Sequence, residues 1–130
     1  MNPRFLLVED VIRIQQLQLV KDGGLAGIRD RNLLESATMQ PMATFGGEYL
    51  HPDLFLMAAA YLFHLVKNHP FVDANKRTGF VAALTFLSLN GVVLADPSPT
   101  LYDATMAVAE GRLAKDGLAE VFRGLASPTS

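Results

Sequence analysis

The sequence predicts an all-α, single-domain bundle interrupted once by short extended pieces, and three observations carry that prediction. Residues 53–67 and 80–89 are apolar on nearly every face, as helices in the centre of a bundle are. Residues 8–20 place Val8, Val11, Ile12 and Leu19 on one side at helical spacing and keep Arg13, Gln16 and Gln18 off it, which is the pattern of an amphipathic packing helix. Residues 41–50 break helical periodicity for long enough to hold a turn between short extended pieces. At 130 residues, half of them hydrophobic, the chain can close one core without disulfides or structural metal. The expectation is one domain over residues 1–126 and a frayed tail at 127–130.

From the N-terminus, Glu9 and Asp10 suit the positive end of the first helix, and Lys21-Asp22-Gly23-Gly24 stops it. Residues 23–30, Gly-Gly-Leu-Ala-Gly-Ile-Arg-Asp, have the glycines of a phosphate loop but neither the preceding strand nor the Gly-Lys-Ser/Thr ending. They read as a connection, with Asp30 capping a helix from Arg31 to about Gln40. Phe45-Gly46-Gly47-Glu48-Tyr49 forms the turn between the extended pieces, and His51 reads as a loop residue before Pro52. Ala58-Ala59-Ala60 lets a neighbouring helix approach closely. His64 reads as a core or boundary histidine, because no zinc-type i,i+4 pair with a glutamate accompanies it. Asn90-Gly91 stops the second apolar helix. A short extended piece at 92–94 and a rigid Asp-Pro-Ser-Pro turn at 96–99 follow. Helices at about 99–112 and 116–125 then face Leu101, Thr105, Val108, Leu113, Leu118 and Val121 inward.

Charge and composition exclude several classes of function. A formal charge of −2 offers no general electrostatic case for direct nucleic-acid binding or for an anionic membrane. The absence of cysteine removes disulfides and thiolate zinc sites. The N-terminus lacks the apolar run of a signal peptide. Residues 54–66, the most apolar stretch, fall short of the ~20 residues that span a bilayer. The expectation is a cytoplasmic protein with no membrane partner.

The polar groups concentrate in residues 69–79, His-Pro-Phe-Val-Asp-Ala-Asn-Lys-Arg-Thr-Gly, slung between the two apolar helices. Pro70 ends the first helix and leaves His69 at its exit. Residues 70–74 then form a tight loop into the next helix, whose first amides are unpaired and favour an anion. Lys76 and Arg77 add two cations at this end, where the helix dipole opposes them unless an anion is present. Asp73 beside a polyphosphate is explained by Mg2+ bridging phosphate oxygens, and His69 remains to accept a proton from a hydroxyl. Singly, each residue has a plain reading as a helix cap, a solvated cation or a satisfied histidine. Together they describe a phosphate site with a base beside it.

Residues 69–77 resemble the Fic/Doc motif, H-x-F-x-[DE]-[GA]-N-x-R, and Lys76 is similar to the Doc (death-on-curing) toxin branch. The glycine-rich stretch at 23–30 also resembles that branch. The resemblance implies a Fic/Doc-type helical bundle with a short β-like flap before the motif helix. It implies His69 as the catalytic base, Asp73 as the metal ligand, Asn75, Lys76 and Arg77 as the nucleotide phosphate cradle, and Phe71 as the loop anchor. Phe45, Gly46 and Gly47 would belong to a target-binding flap, whose strand edge can pair with an extended peptide.

Two departures from the adenylylating members stand out. Lys76 replaces the glycine after the motif asparagine, and Phe80 stands where they carry a second arginine. The Doc resemblance implies transfer of the terminal phosphate of ATP, with Mg2+, to a Ser/Thr hydroxyl of a protein such as elongation factor Tu, blocking translation. The alternative is AMP transfer by the same site. The inhibitory pattern [ST]-x-x-x-E-[GN] fails at Tyr49 for residues 44–49 and at Met106 for residues 106–111. Restraint is therefore expected from a small antitoxin whose tail folds on the toxin.

Overall fold

The computed structural model describes residues 2–95 and 98–126, and six α-helices and one two-stranded hairpin are found among them. Helix α1 spans Val8–Asp22. Its start is closed by the Asp10 carboxylate, which accepts from the Leu7 amide at 2.8 Å, and it ends at Gly23, whose φ of 77° few other residues adopt without cost. Val11, Ile14 and Gln15 are its buried positions, whereas Val8, Ile12 and Leu19 are only partly covered. The inward stripe is thus rotated from the expected one, because Gln15 turns inward and its Nε2 reaches the Asp73 carbonyl at 3.4 Å.

Helix α2, Arg31–Met39, is capped by Asp30, which accepts from the Leu33 amide at 3.0 Å. A 3-10 turn at Gln40–Met42 then leads into strands β1 (Thr44–Phe45) and β2 (Glu48–Tyr49). These pair antiparallel with Phe45 opposite Glu48. Gly46 and Gly47, both at positive φ, make the two-residue turn that such a hairpin requires.

Helices α3 (Leu54–Asn68) and α4 (Asn75–Leu89) form the centre and share the most extensive packing in the molecule. Every side chain from Met57 to Leu62 is fully buried. Close approach of the two helices depends on Gly79, where a Cβ would lie 3.3 Å from the Leu62 carbonyl oxygen. Tyr61 and Phe86 stack obliquely in this core, and the Tyr61 hydroxyl accepts from the Leu6 amide at 2.8 Å, pinning the N-terminal segment.

Helices α5 (Ser98–Ala109) and α6 (Lys115–Leu125) close the bundle. Leu101, Thr105, Val108 and Leu118 are buried and Leu113 and Val121 partly so, while Phe122 joins them as a fully buried anchor. Helix α5 starts and stops earlier than expected. Ser98 and Pro99 belong to its first turn, where proline loses no hydrogen bond, and it ends at Ala109, ahead of Gly111 at φ 78° and of the expected end at about Arg112. Asp96 and Pro97, half of the expected rigid turn, lie outside the described residues, as does the expected tail at 127–130. Of the expected extended piece at 92–94, Leu94 forms a bridge with Ala126. Among the described residues no helix is long and apolar enough to cross a membrane.

Candidate active site

The loop between α3 and α4 is held open by two left-handed residues. His69 has φ 50° and ψ 54° immediately after α3, and Ala74 has φ 66° immediately before α4. Neither is glycine, so each costs about 1 kcal/mol or more relative to an ordinary conformation. Three sets of contacts hold them there. Phe71, fully buried, pins the loop to the core. Asn75, only 4% exposed, receives the Phe71 amide on Oδ1 at 2.9 Å and donates from Nδ2 to the Phe71 carbonyl at 3.0 Å. Arg29, distant in sequence, donates from Nε to the His69 carbonyl at 2.6 Å and from Nη2 to the Asn68 carbonyl at 2.9 Å, capping the end of α3.

The same Asn75 Nδ2 lies 3.1 Å from His69 Nδ1. Because both backbone groups of Phe71 fix the orientation of the carboxamide, its nitrogen is the donor in this contact. Nδ1 of a neutral His69 is then the acceptor, and the ring proton resides on Nε2. The carboxamide of Asn75 is fully used inside the loop, so Asn75 can meet an anion through its backbone amide only. Within the described residues, the amides of Asn75, Lys76 and Arg77 have no protein acceptor, while Thr78 makes the first helical bond, to Ala74.

Asp73 is positioned by the glycine-rich connection at 23–30, which runs alongside the motif loop. Its Oδ2 accepts from the Leu25 amide at 3.0 Å and its Oδ1 from the Ala74 amide at 2.8 Å. These two amides, with Arg77 and His69 nearby, hold the carboxyl below the usual range, so it is ionised at neutral pH. A Cβ at Gly24 would lie 2.8 Å from Asp73 Oδ2 and 3.3 Å from Arg77 Nη2, so glycine is required there for the approach. Gly27 accepts from the Val72 amide at 3.0 Å, and the Arg29 and Asp30 amides both donate to the Pro70 carbonyl. The connection was legible as a stretch of glycines but not as the second wall of the site.

Arg77 is engaged by backbone carbonyls and a carboxylate of the N-terminal region. Its Nη1 donates to the Gln18 carbonyl at 3.2 Å, its Nη2 to the Gly23 carbonyl at 3.1 Å, and Asp22 lies 3.6 Å away. The guanidinium therefore ties α4 to the negative end of α1. Lys76 is exposed and forms no ion pair among the described residues.

These groups share a cavity of about 480 Å3, a typical size for a small-molecule site. Gln18, Lys21, His69, Asp73, Lys76 and Arg77 supply much of its polar lining. Phe80 and Val81 from α4, with Tyr102 and Met106 from α5, supply its apolar lining, of which the sequence singled out Phe80 alone. Phe45, Gly46 and Gly47 do not line the cavity, although Phe45 is 81% exposed at the hairpin tip.

A family model described as the Fic/DOC family matches residues 5–87, which hold the motif loop and both central helices. The chain belongs to the Fic/Doc family. The six helices and single short hairpin among the described residues are the all-α Fic/Doc fold that the sequence predicts. Among curated relatives of this Fic/Doc chain, the "Protein kinase doc" of Escherichia phage P1 is 35% identical over 122 residues, covering 94% of this chain and 95% of that protein. The "Toxin Doc" of Mycolicibacterium smegmatis (strain ATCC 700084 / mc(2)155) is 49% identical over 73 residues, and the match spans 56% of each chain.

A second polar cluster sits apart from this Fic/Doc site. Lys115 Nζ at the start of α6 lies 3.0 Å from His64 Nε2 and 3.2 Å from His51 Nε2. Burial and the neighbouring ammonium push His64 down to about 4 and also lower His51. His64 is a boundary histidine, as expected. His51 lies in the loop between β2 and α3, as expected, but it is only 7% exposed, with Lys115 of α6 against its ring.

Proposed function

We propose that this chain is the toxin of a toxin–antitoxin pair and transfers the terminal phosphate of ATP to a Ser or Thr hydroxyl of a cytosolic protein. The observation that carries the reading is one cavity lined by His69, Asp73, Lys76 and Phe80 together. A lysine ammonium at position 76 meets the phosphates, and the wall at position 80, where adenylylating members have a second guanidinium, is apolar. The names of the two relatives, a Doc toxin and a Doc protein kinase, support the same direction.

In this reading the unpaired amides of Asn75, Lys76 and Arg77, the Lys76 ammonium and a partly redirected Arg77 hold the phosphate chain. The acceptor oxygen forms a bond to the γ-phosphorus, the bond from that phosphorus to the β,γ-bridging oxygen breaks, and ADP leaves. The hydroxyl proton goes to His69. In the resting loop the accepting lone pair lies on Nδ1, so either the hydroxyl displaces Asn75 from it, or the Asn75 contact opens and the ring proton moves from Nε2 to Nδ1 through water. Phe71 and Asn75 keep the loop in register for that encounter.

Asp73 fits Mg2+ that arrives with the nucleotide. It is an ionised oxygen donor, oriented by two amides that leave lone pairs on both oxygens. No three His, Cys, Asp or Glu side chains converge among the described residues, which matches the way Mg2+ is held by one or two carboxylates plus substrate phosphates. When bound, the ion neutralises charge developing on the phosphate oxygens.

The hairpin with Phe45, Gly46 and Gly47 offers an exposed edge to an extended segment of the target. Elongation factor Tu is the type of target that the Doc resemblance points to, and a small antitoxin is the partner that restrains the toxin. The test incubates the protein with host lysate and ATP labelled at either the γ- or the α-phosphate. Label transfer from the γ-position, lost in a folded His69→Ala variant, is the expected result. Transfer from the α-position makes the enzyme an adenylyltransferase, and equal transfer by His69→Ala removes the proposed base.

A further inference from the structure

Between Pro41 and Met57 a single residue is buried, His51, two positions beyond the end of β2. Its Nε2 lies 3.2 Å from the Lys115 ammonium, which also lies 3.0 Å from His64 Nε2 on α3. An ammonium can only donate, so both Nε2 atoms accept and both ring protons sit on Nδ1. His51 Nδ1 is buried without a hydrogen bond of good geometry among the described residues, although the Gln40 carbonyl lies near enough to favour a proton there. Lys115 is thus the strong polar contact of this ring. The lysine stands there against its own helix. It is the first residue of α6, where a cation opposes the dipole, and Ala114 before it offers no side-chain cap. The Phe63 ring at 5.7 Å and the Asp116 carboxylate favour the ammonium in return. A second link from α6 to the same stretch, Arg123 Nη2 to Asp53 Oδ2 at 3.1 Å, is exposed on both sides and screened by solvent, so it holds less.

We propose that Lys115 is a positioning residue for the acceptor protein: through His51 it holds the returning root of the hairpin and so sets the strand edge with which an extended segment of the acceptor pairs. The inference rests on the phosphotransfer reading and on the hairpin's part in it, and adds the residue that fixes the hairpin. Buried Pro41 fastens the outgoing root by packing, whereas the returning root depends on a polar contact. Without the ammonium, both nitrogens of a buried imidazole lack good partners, which drives the ring toward water. Tyr49 is only two residues away, so the exit of His51 shifts β2. Lys115, His51 and His64 do not line the cavity, so the nucleotide is held as before.

Hydrogen exchange and steady-state transfer test the two halves of the proposal separately. The Leu50 amide donates to the Ala43 carbonyl at 2.9 Å across the root of the hairpin. In Lys115→Met this amide is expected to exchange at least about tenfold faster, while the amides of α4 keep their rates. With γ-labelled ATP and purified elongation factor Tu as acceptor, the acceptor KM is expected to rise at least about fivefold, with kcat and ATP affinity within about twofold of the unaltered protein. His51→Leu should reproduce that rise. His51→Gln, whose carboxamide oxygen again accepts from Lys115, should bring KM back near its original value.

Unchanged exchange at Leu50 overturns the clamp. Faster exchange with an unchanged acceptor KM leaves Lys115 as a stabilising contact and overturns the positioning role. Failure of His51→Gln to improve on His51→Leu overturns the route through His51. A loss of ATP affinity alongside the rise in KM marks general loosening of the fold and overturns the proposal as well. No transfer by the unaltered protein overturns the phosphotransfer reading on which the proposal rests, a result distinct from any change seen only in the variants.

Discussion

Replacing Arg29 with alanine separates holding the fold from holding the motif loop. The guanidinium donates at 2.6 Å to the His69 carbonyl and at 2.9 Å to the Asn68 carbonyl, the last two carbonyls before the chain turns into the motif. A hydrogen bond from a charged donor contributes about 1.5–3 kcal/mol. Arg29 is exposed, and solvent screening reduces the pair to about 2 kcal/mol together. His69 also sits at φ 50°, a conformation that costs about 1 kcal/mol or more, and it relaxes more easily once its carbonyl is released. A domain stable by about 5 kcal/mol keeps about 99% of its molecules folded after losing 2. A loss of rate beyond about one per cent then reflects geometry. Displacing a reacting group by about 1 Å costs about a hundredfold. Urea unfolding is expected to show the loss of about 2 kcal/mol, and single-turnover phosphate transfer is expected to fall at least about tenfold with ATP affinity little changed. A variant destabilised as expected but fully active would refute the argument and leave Arg29 as a plain cap on α3.

Three further outcomes follow from the same geometry. Gly24→Ala drives a Cβ to 2.8 Å from Asp73 Oδ2 at φ +128°, whereas Gly23→Ala meets nothing within 4 Å. Both variants carry backbone strain of about 1–3 kcal/mol, but only the first is expected to weaken Mg2+-dependent transfer, read as a raised Mg2+ midpoint. Asn75→Ala leaves the buried Phe71 amide without its acceptor and should lower stability by about 2–3 kcal/mol in chemical unfolding. A loss below about 0.5 kcal/mol would show that water replaces the carboxamide. The third outcome concerns pH. His64 is lowered from 6.5 to about 4 in the folded chain, so between those values the unfolded chain binds more protons and stability falls as pH falls. The contribution is complete above pH 6.5 and on the order of 2 kcal/mol after allowance for screening. His64→Gln, which keeps an acceptor for Lys115, should flatten the urea midpoint between pH 7 and 4.5, and an unchanged slope would assign the titration elsewhere.

Much of the site's local structure was legible because it depends on neighbours in sequence. Pro70 dictated the exit of α3, Asp30 announced α2, and Gly46-Gly47 announced the hairpin. Helix faces were less legible where polar side chains turn inward. Gln15 is buried because a partner waits for it at the Asp73 carbonyl, and hydrophobic spacing carries no trace of that partner. Ser98-Pro99 suggested a turn because proline does, yet the first turn of a helix accommodates it equally well. The burial of His51 was invisible for a similar reason, since the helix that covers it lies some sixty residues further on.

The sequence by itself determined the family, the all-α architecture and the cast of charged groups between two buried helices, since each is written in motif spacing or helical period. Only the tertiary structure decided how those groups are held. Leu25 reaches Asp73 across 48 residues, Arg29 reaches His69 across 40, and Arg77 is anchored on α1 across 59. Tyr102 and Met106 likewise join the cavity because α5 folds back beside α4. Such contacts form wherever the closed core happens to bring backbone amides and carbonyls within reach. Residue periodicity reports which face is buried, and it is silent about which distant backbone group completes a charge.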